Sequence, residues 1–269
     1  MQRRLVLMNW IGKLGDHTLG RLRTVNHLVS VIWAVLCFSV HPYAWPRTVK
    51  NVLARQILFT GYEAVRFIST IALMVGISIV VQTQVWLNAV GQSGLLGPVL
   101  VMVIVREVGP LLANFVVIGR SGTAIATELA NMNVNGEVRV LDALGLDPFT
   151  YLVIPRVLGV ALSVFCLTVV FVVVSFVSGY VFGVLMGSTA GDPLKFLNSV
   201  LKSISPADVF NLLAKTFIPG LLTGAICCVE GLSVSASVTE VPQAATRAVV
   251  RSITSLFVTS ALVSLLTYL

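Results

Sequence analysis

Apolar residues run along this chain in long blocks and not in alternation. From Phe67 to Val105 no charged residue occurs for 39 positions, and the turn-forming stretch Asn88–Gly97 (NAVGQSGLLG) divides that run. A helix needs roughly 20 apolar residues to cross a hydrocarbon core of about 30 Å. The pattern therefore predicts spans at 67–87 and 98–118, a third within 152–187, a fourth at 209–229 and a fifth from about 248 to the end. Between Arg23 and Arg47 the apolar heart, Leu28–Val40, has only 13 residues. That is too short to cross at about 1.5 Å per residue, and cations flank both sides. A re-entrant or interfacial hairpin fits it better than a span. The helix before it, with Leu7, Ile11 and Leu14 on one face, is expected to lie flat on the membrane.

Composition agrees. The 269 residues are 57% hydrophobic and 11% charged, less than half of the about 25% charge of a soluble domain. This excludes a soluble fold and also disorder, which is rich in charge. The net charge of +7 invites a nucleic-acid reading, but nine of the 18 cations lie within residues 1–66, against Asp16 and Glu63 alone. Bases beside apolar segments are what a cytoplasmic membrane face carries. With the N-terminus cytoplasmic, inside segments hold 14 cations and outside loops only Lys195 and Lys202, while Arg106 and Lys215 fall within spans. The expected topology is N-terminus in and C-terminus out.

Candidate chemistry is sparse. No GxxxxGK[ST], HExxH or GxSxG occurs. The histidines, His17, His27 and His41, read as interfacial polar residues, and Cys37, Cys166, Cys227 and Cys228 as small buried hydrophobes. No catalytic or metal-binding residue is expected, and no cofactor in this chain. Any energy source must come from a partner or from ion coupling. Arg106-Glu107 lies near the middle of a span, followed by Pro110. Intramembrane charges are expensive and face a bundle interior, a cavity or a partner charge. Neighbours on a helix do not face each other, so each is expected to have a partner elsewhere; a polar clamp and a role in transport both stay open. Gly179, Gly183 and Gly187, and Gly220 with Gly224, form small-residue ridges for close packing. Segment 119–156 is the sizeable cytoplasmic loop, with Val134, Val138 and Leu141 at helical spacing and Gly145 and Asp147-Pro148 as a stop. Beyond Asp192-Pro193, Leu197, Val200, Leu201 and Ile204 face one way and Lys195, Asn198 and Lys202 the other, an amphipathic helix on the outer surface.

The stretches Arg106–Val134 (REVGPLLANFVVIGRSGTAIATELANMNV), Leu144–Leu158 (LGLDPFTYLVIPRVL) and Ala244–Ile253 (AATRAVVRSI) resemble, in order, the motifs of the MlaE/YrbE permease family. These are the membrane subunits of MCE-associated ABC lipid transporters. The likeness runs from about residue 50 onward. It implies an all-α integral membrane protein of about five transmembrane helices with an N-terminal interfacial helix and re-entrant hairpin. Residues 1–60 would form that N-terminal region and 61–269 the permease domain. The resemblance further implies a homodimer in a bacterial inner membrane, a cytoplasmic ABC ATPase that holds the ATP and Mg, and a periplasmic MCE-domain protein. A small STAS-type regulatory subunit is a further implied partner; nucleic acid is not. Segment 132–146 would be the coupling helix, docking on the ATPase through Val134, Glu137, Val138, Arg139, Leu141 and Asp142. The chain departs from the family at Gly136-Glu137-Val138-Arg139, at Ser260 and at Thr239–Gln243.

The expected activity is movement of phospholipids between inner and outer membranes, maintaining lipid asymmetry. Two acyl tails left in water cost about 0.8 kcal/mol per CH₂, so an apolar cavity is required. It is expected at the dimer interface, lined by Ile79, Trp86 and Leu87 of the 67–87 span and by the last two spans, with Arg106 and Glu107 near the head group. Two rivals stand beside this: an ion-coupled secondary transporter or channel using Arg106, Glu107 and Lys215, and a membrane scaffold without transport.

Overall fold

The computed structural model describes residues 26, 28–39, 46–185, 193–235 and 237–268. The flat N-terminal helix, the three histidines, Gly187 and Asp192 lie outside them. Two units separate, at Met1–Trp45 and Pro46–Leu269. The described part of the first is one short apolar helix, α1 (Leu28–Ser39). No strand occurs among the described residues.

The second unit contains five helices long and apolar enough to span: α2 (Arg47–Ala89), α3 (Leu96–Val134), α5 (Phe149–Leu185), α7 (Pro206–Leu232) and α8 (Val238–Thr267). Between them lie two short helices, α4 (Glu137–Ala143) and α6 (Pro193–Ser203). The number of spans agrees with the hydropathy pattern, but their lengths exceed it. α2 has 43 residues and α3 has 39, about 65 and 58 Å at 1.5 Å per residue, twice a hydrocarbon core. The excess is polar and lies at the cation-bearing ends. α2 starts at Arg47 behind Pro46, so the boundary expected after residue 60 falls inside a continuous helix. The supposed loop after residue 118 is likewise helical as far as Val134. Wide π-type turns occur at Leu58–Tyr62, Val101–Val108, Ile118–Gly122 and Phe149–Val153, so the long helices bend without breaking.

Small residues set the packing. α2 and α5 run parallel, and a Cβ at Gly76 would come within 2.5 Å of the Ser175 backbone. The Ser175 hydroxyl donates to the Ala72 carbonyl at 3.1 Å. Nearer the start of α5, a Cβ at Gly220 or Gly224 of α7 would stand 2.8 Å from the Cα of Ala161 or Val157. The Gly220–Gly224 ridge of the sequence is thus seated backbone to backbone, while Gly179 of the other ridge takes the Val80 side chain of α2. α3 runs parallel to α7 and closes over α5, α7 and α8. At its inner end Ala130 and Val134 pack with Val234, Val241 and Ala244.

Four expectations change. Val134 is not on the helix of Val138 and Leu141: Gly136, at φ +78°, breaks the chain between them, so Val134 ends α3 and α4 has seven residues. Asp147-Pro148 starts α5, where the Asp147 carboxylate accepts from the Thr150 N–H at 3.0 Å and the Phe149 N–H at 3.2 Å. Cys37 on α1 and Cys166 on α5 are exposed, while Cys227 and Cys228 are buried. On α6 the inward face is Phe196 and Val200, and Leu197 and Leu201 point outward, because Ser199 must seat against Gly97 and Phe196 against Tyr180, with ring centroids 5.2 Å apart.

Candidate functional site

Two charges about three turns from the start of α3 find their counter-charges on α7. Nε of Arg106 lies 2.7 Å from Oδ1 of Asp208, and Nζ of Lys215 lies 2.5 Å from Oε1 of Glu107. Ser264 of α8 donates to the same Glu107 oxygen at 2.9 Å. Asp208 and Lys215 are fully buried, whereas the Glu107 side chain is 45% exposed. Asp208 also accepts from the Ser205 N–H at 2.8 Å, closing the first turn of α7. The α3 pair of acid and base thus has separate partners, as adjacent helix positions require.

Two prolines explain how the cluster is held. Pro110 has no N–H to give the carbonyl four residues back, which frees Arg106 O. Lys215 Nζ donates to that oxygen at 2.9 Å. Pro219 in α7 likewise frees the Lys215 carbonyl, and Asn114 Nδ2 of α3 donates to it at 3.2 Å. Each helix satisfies the oxygen that a proline orphaned in the other. Asn211, one turn from both Asp208 and Lys215, is buried with both amide atoms unpartnered. The seam is therefore polar beyond what its ion pairs use.

Alongside it an apolar groove of about 480 Å³ opens between α7 and α8, lined by Ala207, Phe210, Ala214, Ile218, Val263 and Leu266 among others. Its lining alternates in sequence with Asp208, Lys215 and Ser264. A second groove, of about 490 Å³, lies between α2 and α3. Within one chain Ile79, Trp86 and Leu87 are not brought to the last two spans. They lie on α2, which packs on α5, and neither groove includes them. Trp86 is 67% exposed.

The half of the bundle that carries α4 is laced by polar ties. Arg156 of α5 meets Glu128 of α3 at 2.8 Å. Glu230 of α7 is buried and accepts Arg247, at 3.3 Å, and Arg251 from α8. Asn133 donates to the carbonyls of Leu232 at 2.9 Å and Val234 at 2.8 Å. Just beyond these ties α4 presents Glu137, Arg139 and Asp142 outward, with Val138 and Leu141 half-buried. Val140 and Leu144, 59% and 69% exposed, form the outward apolar pair. The sequence reading missed them, since it extended the apolar stripe back through Val134. Asp208 and Ser264 were missed too. Only a register that brings together residues 102 and 157 positions apart reveals them, although the acid three residues after Ser205 is a capping signal. Among the described residues no group of three His, Cys, Asp or Glu is placed to hold a metal.

The comparisons with known proteins agree on one lineage. The family model described as permease MlaE matches residues 53–266. A probable ABC transporter permease protein of Rickettsia felis is 28% identical over 92% of this chain and 93% of its own length. A probable ABC transporter permease protein of Synechocystis sp. is 31% identical over 81% of this chain and 82% of its own. The chloroplastic protein TRIGALACTOSYLDIACYLGLYCEROL 1 of Arabidopsis thaliana is 26% identical over 85% of this chain and 63% of its own. With five spans, a charged α3–α7 seam and a family match over most of its length, the chain belongs to the MlaE permease family of ABC transporter membrane subunits.

Proposed function

We propose that this permease moves phospholipids across the space between inner and outer membranes, as a homodimer in a bacterial inner membrane. A cytoplasmic ATPase holding ATP and Mg drives it, and a periplasmic MCE-domain protein exchanges lipid with it. A STAS-type subunit is a further partner. The N-terminus faces the cytoplasm, as the bases require. The observation that carries this reading is the seam itself. Glu107, paired to Lys215 yet 45% exposed, puts a polar group beside the apolar α7–α8 groove, the polarity that one head group and its tails need. The Arabidopsis relative, named for a diacylglycerol lipid, supports a lipid cargo. Ile79, Trp86 and Leu87 would face the cavity only across two copies of the chain, since one copy keeps them apart from α8. α4 would meet the ATPase through Glu137, Arg139 and Asp142, with Val140 and Leu144 filling a groove in it. The sequence-assigned Val138 and Leu141 would support that helix from behind, and Val134 would anchor the end of α3.

The test is lipid transfer by the reconstituted complex. Glu107→Ala abolishes transfer while the complex still assembles. Unchanged transfer removes Glu107 from the mechanism. Transport that persists without any ATPase would instead favour ion coupling through Arg106, Glu107 and Lys215.

A further inference from the structure

The second groove has a polarity of its own. Phe67 and Ile71 of α2 and Leu112, Phe115 and Val116 of α3 line it, and Gly119 and Arg120 close one end. From Leu112 to Arg120 it follows α3 for about 12 Å at 1.5 Å per residue. Its 490 Å³ falls within the about 300–1,000 Å³ of small-ligand sites. Arg120 is half-buried: it donates to Phe59 O at 3.1 Å, stacks over the Phe59 ring at 5.3 Å and meets Glu63 at 2.6 Å. Arg66, exposed one position before Phe67, is a second cation on the stretch of α2 that carries Glu63. A Cβ on Gly119 would meet nothing within 4 Å, so the groove floor is open there.

We propose that the α2–α3 groove holds one acyl chain of a phospholipid whose head-group phosphate sits on Arg120 and Arg66. The cation lies at one end and the apolar walls run from it toward the middle of the spans, the order in which a lipid of that leaflet is built. Guanidinium forks suit phosphate oxygens. The site lies apart from the Arg106–Asp208 and Glu107–Lys215 seam, and it requires only that α2 and α3 stand in a membrane. It holds lipid whether or not the protein transports any. Under the orientation proposed above, the leaflet is the cytoplasmic one.

The full chain in nanodiscs containing phosphatidylglycerol with a diazirine on its acyl chain tests this by mapping cross-linked peptides. Label concentrates on the peptides of Phe67–Ile71 and Leu112–Val116. Excess phosphatidylglycerol displaces it and diacylglycerol, which lacks the phosphate, does not. Arg66→Gln lowers labelling about tenfold, the size of one charge-assisted hydrogen bond. Gly119→Trp, whose Cβ meets nothing within 4 Å, projects an indole into the groove and removes labelling. Arg66→Gln alters only an exposed side chain, so loss of label there is not loss of fold. Labelling equal to that of the outward residues Val169 and Val173 of α5, and unaltered by either variant, would mean bulk lipid only and overturn the proposal. So would a groove that stays unlabelled because a second copy of the chain, or its residues 1–45, covers it.

Discussion

α7 has two faces that solve the same problem in opposite ways. Toward α5 it offers Gly220 and Gly224, and the two backbones touch; α5 then repeats this against α2 at Ser175 and Gly76. Toward α3 it offers Asp208, Asn211 and Lys215, and the helices are joined by charge and by carbonyls that prolines set free. The first kind of contact has one geometry, because backbone atoms at van der Waals distance have nowhere to move. The second has long side chains, an unpartnered amide at Asn211 and a half-exposed carboxylate, so its partners can change. α2, α5 and α7 form a frame, and α3 joins it through this polar seam at one end and, farther along, through a close approach in which a Cβ at Gly231 would stand 2.7 Å from the Ala126 carbonyl oxygen.

Enlarging the frame breaks this contrast most severely. In Gly76→Leu the side chain meets the Ser175 backbone, and overpacking of about 1–3 kcal/mol is exceeded when no side chain can yield. Folded protein should vanish from size-exclusion profiles in detergent, while Gly119→Leu, built into open space, should elute as the parent does. Lys215→Ala comes next. It strips Glu107 of its counter-charge, leaving only the Ser264 hydroxyl on it, and leaves the Arg106 carbonyl bare, at about 2–3 kcal/mol, below the about 3–5 of a fully buried pair because Glu107 is half-exposed. In thermal melts Glu107→Gln with Lys215→Met should recover most of that loss without restoring transport. Recovery of both would make the pair a mere strut.

Asn114→Ala sharpens the comparison on a smaller scale. It should cost about 1–2 kcal/mol by abandoning the Lys215 carbonyl. In a Pro219→Ala background, where an N–H returns to that carbonyl, the same change should cost clearly less. Additive losses would refute the reciprocal clamp. The smallest effect is expected at Asp147, which caps α5. The Thr150 hydroxyl, ahead of the backbone N–H groups of Thr150 and Phe149, holds its carboxyl below the usual carboxylate range against the opposing effect of burial. Asp147→Ala should cost about 1 kcal/mol. Because the folded value is depressed, that stabilisation is present above about pH 3.9 and is lost as pH falls through the lower folded value. A melt series from pH 7 down to pH 3 checks it.

The frame was largely legible in the sequence because its signals are local. Apolar blocks give five spans, and Gly220 with Gly224 at one-turn spacing marks a face for close approach. The need of Arg106 and Glu107 for separate partners was legible too, since adjacent helix positions diverge. Their identity was not. Asp208 looks like an ordinary capping acid and Ser264 like any hydroxyl in a span. Only the parallel register of α3 on α7 brings 106 to 208 and 114 to 215, and hydropathy carries no register between helices. The reach of α3 was missed for the opposite reason. Its polar residues after Gly119 read as loop, although tertiary ties from Glu128 and Asn133 keep them helical.

That reach has a mechanical meaning. From Glu107 to Val134, 27 residues of helix make an arm of about 40 Å, so each degree of tilt about the seam moves the tip by about 0.7 Å. The arm carries one joint, the wide turn at Ile118–Gly122, and Arg120 moors that joint to α2. At the tip, Asn133 is lashed to the carbonyls of Leu232 and Val234 at the foot of α7. A push on α4 therefore reaches the mid-membrane charges through two parallel rods bound at both ends, which favours sliding along their common axis over swinging apart.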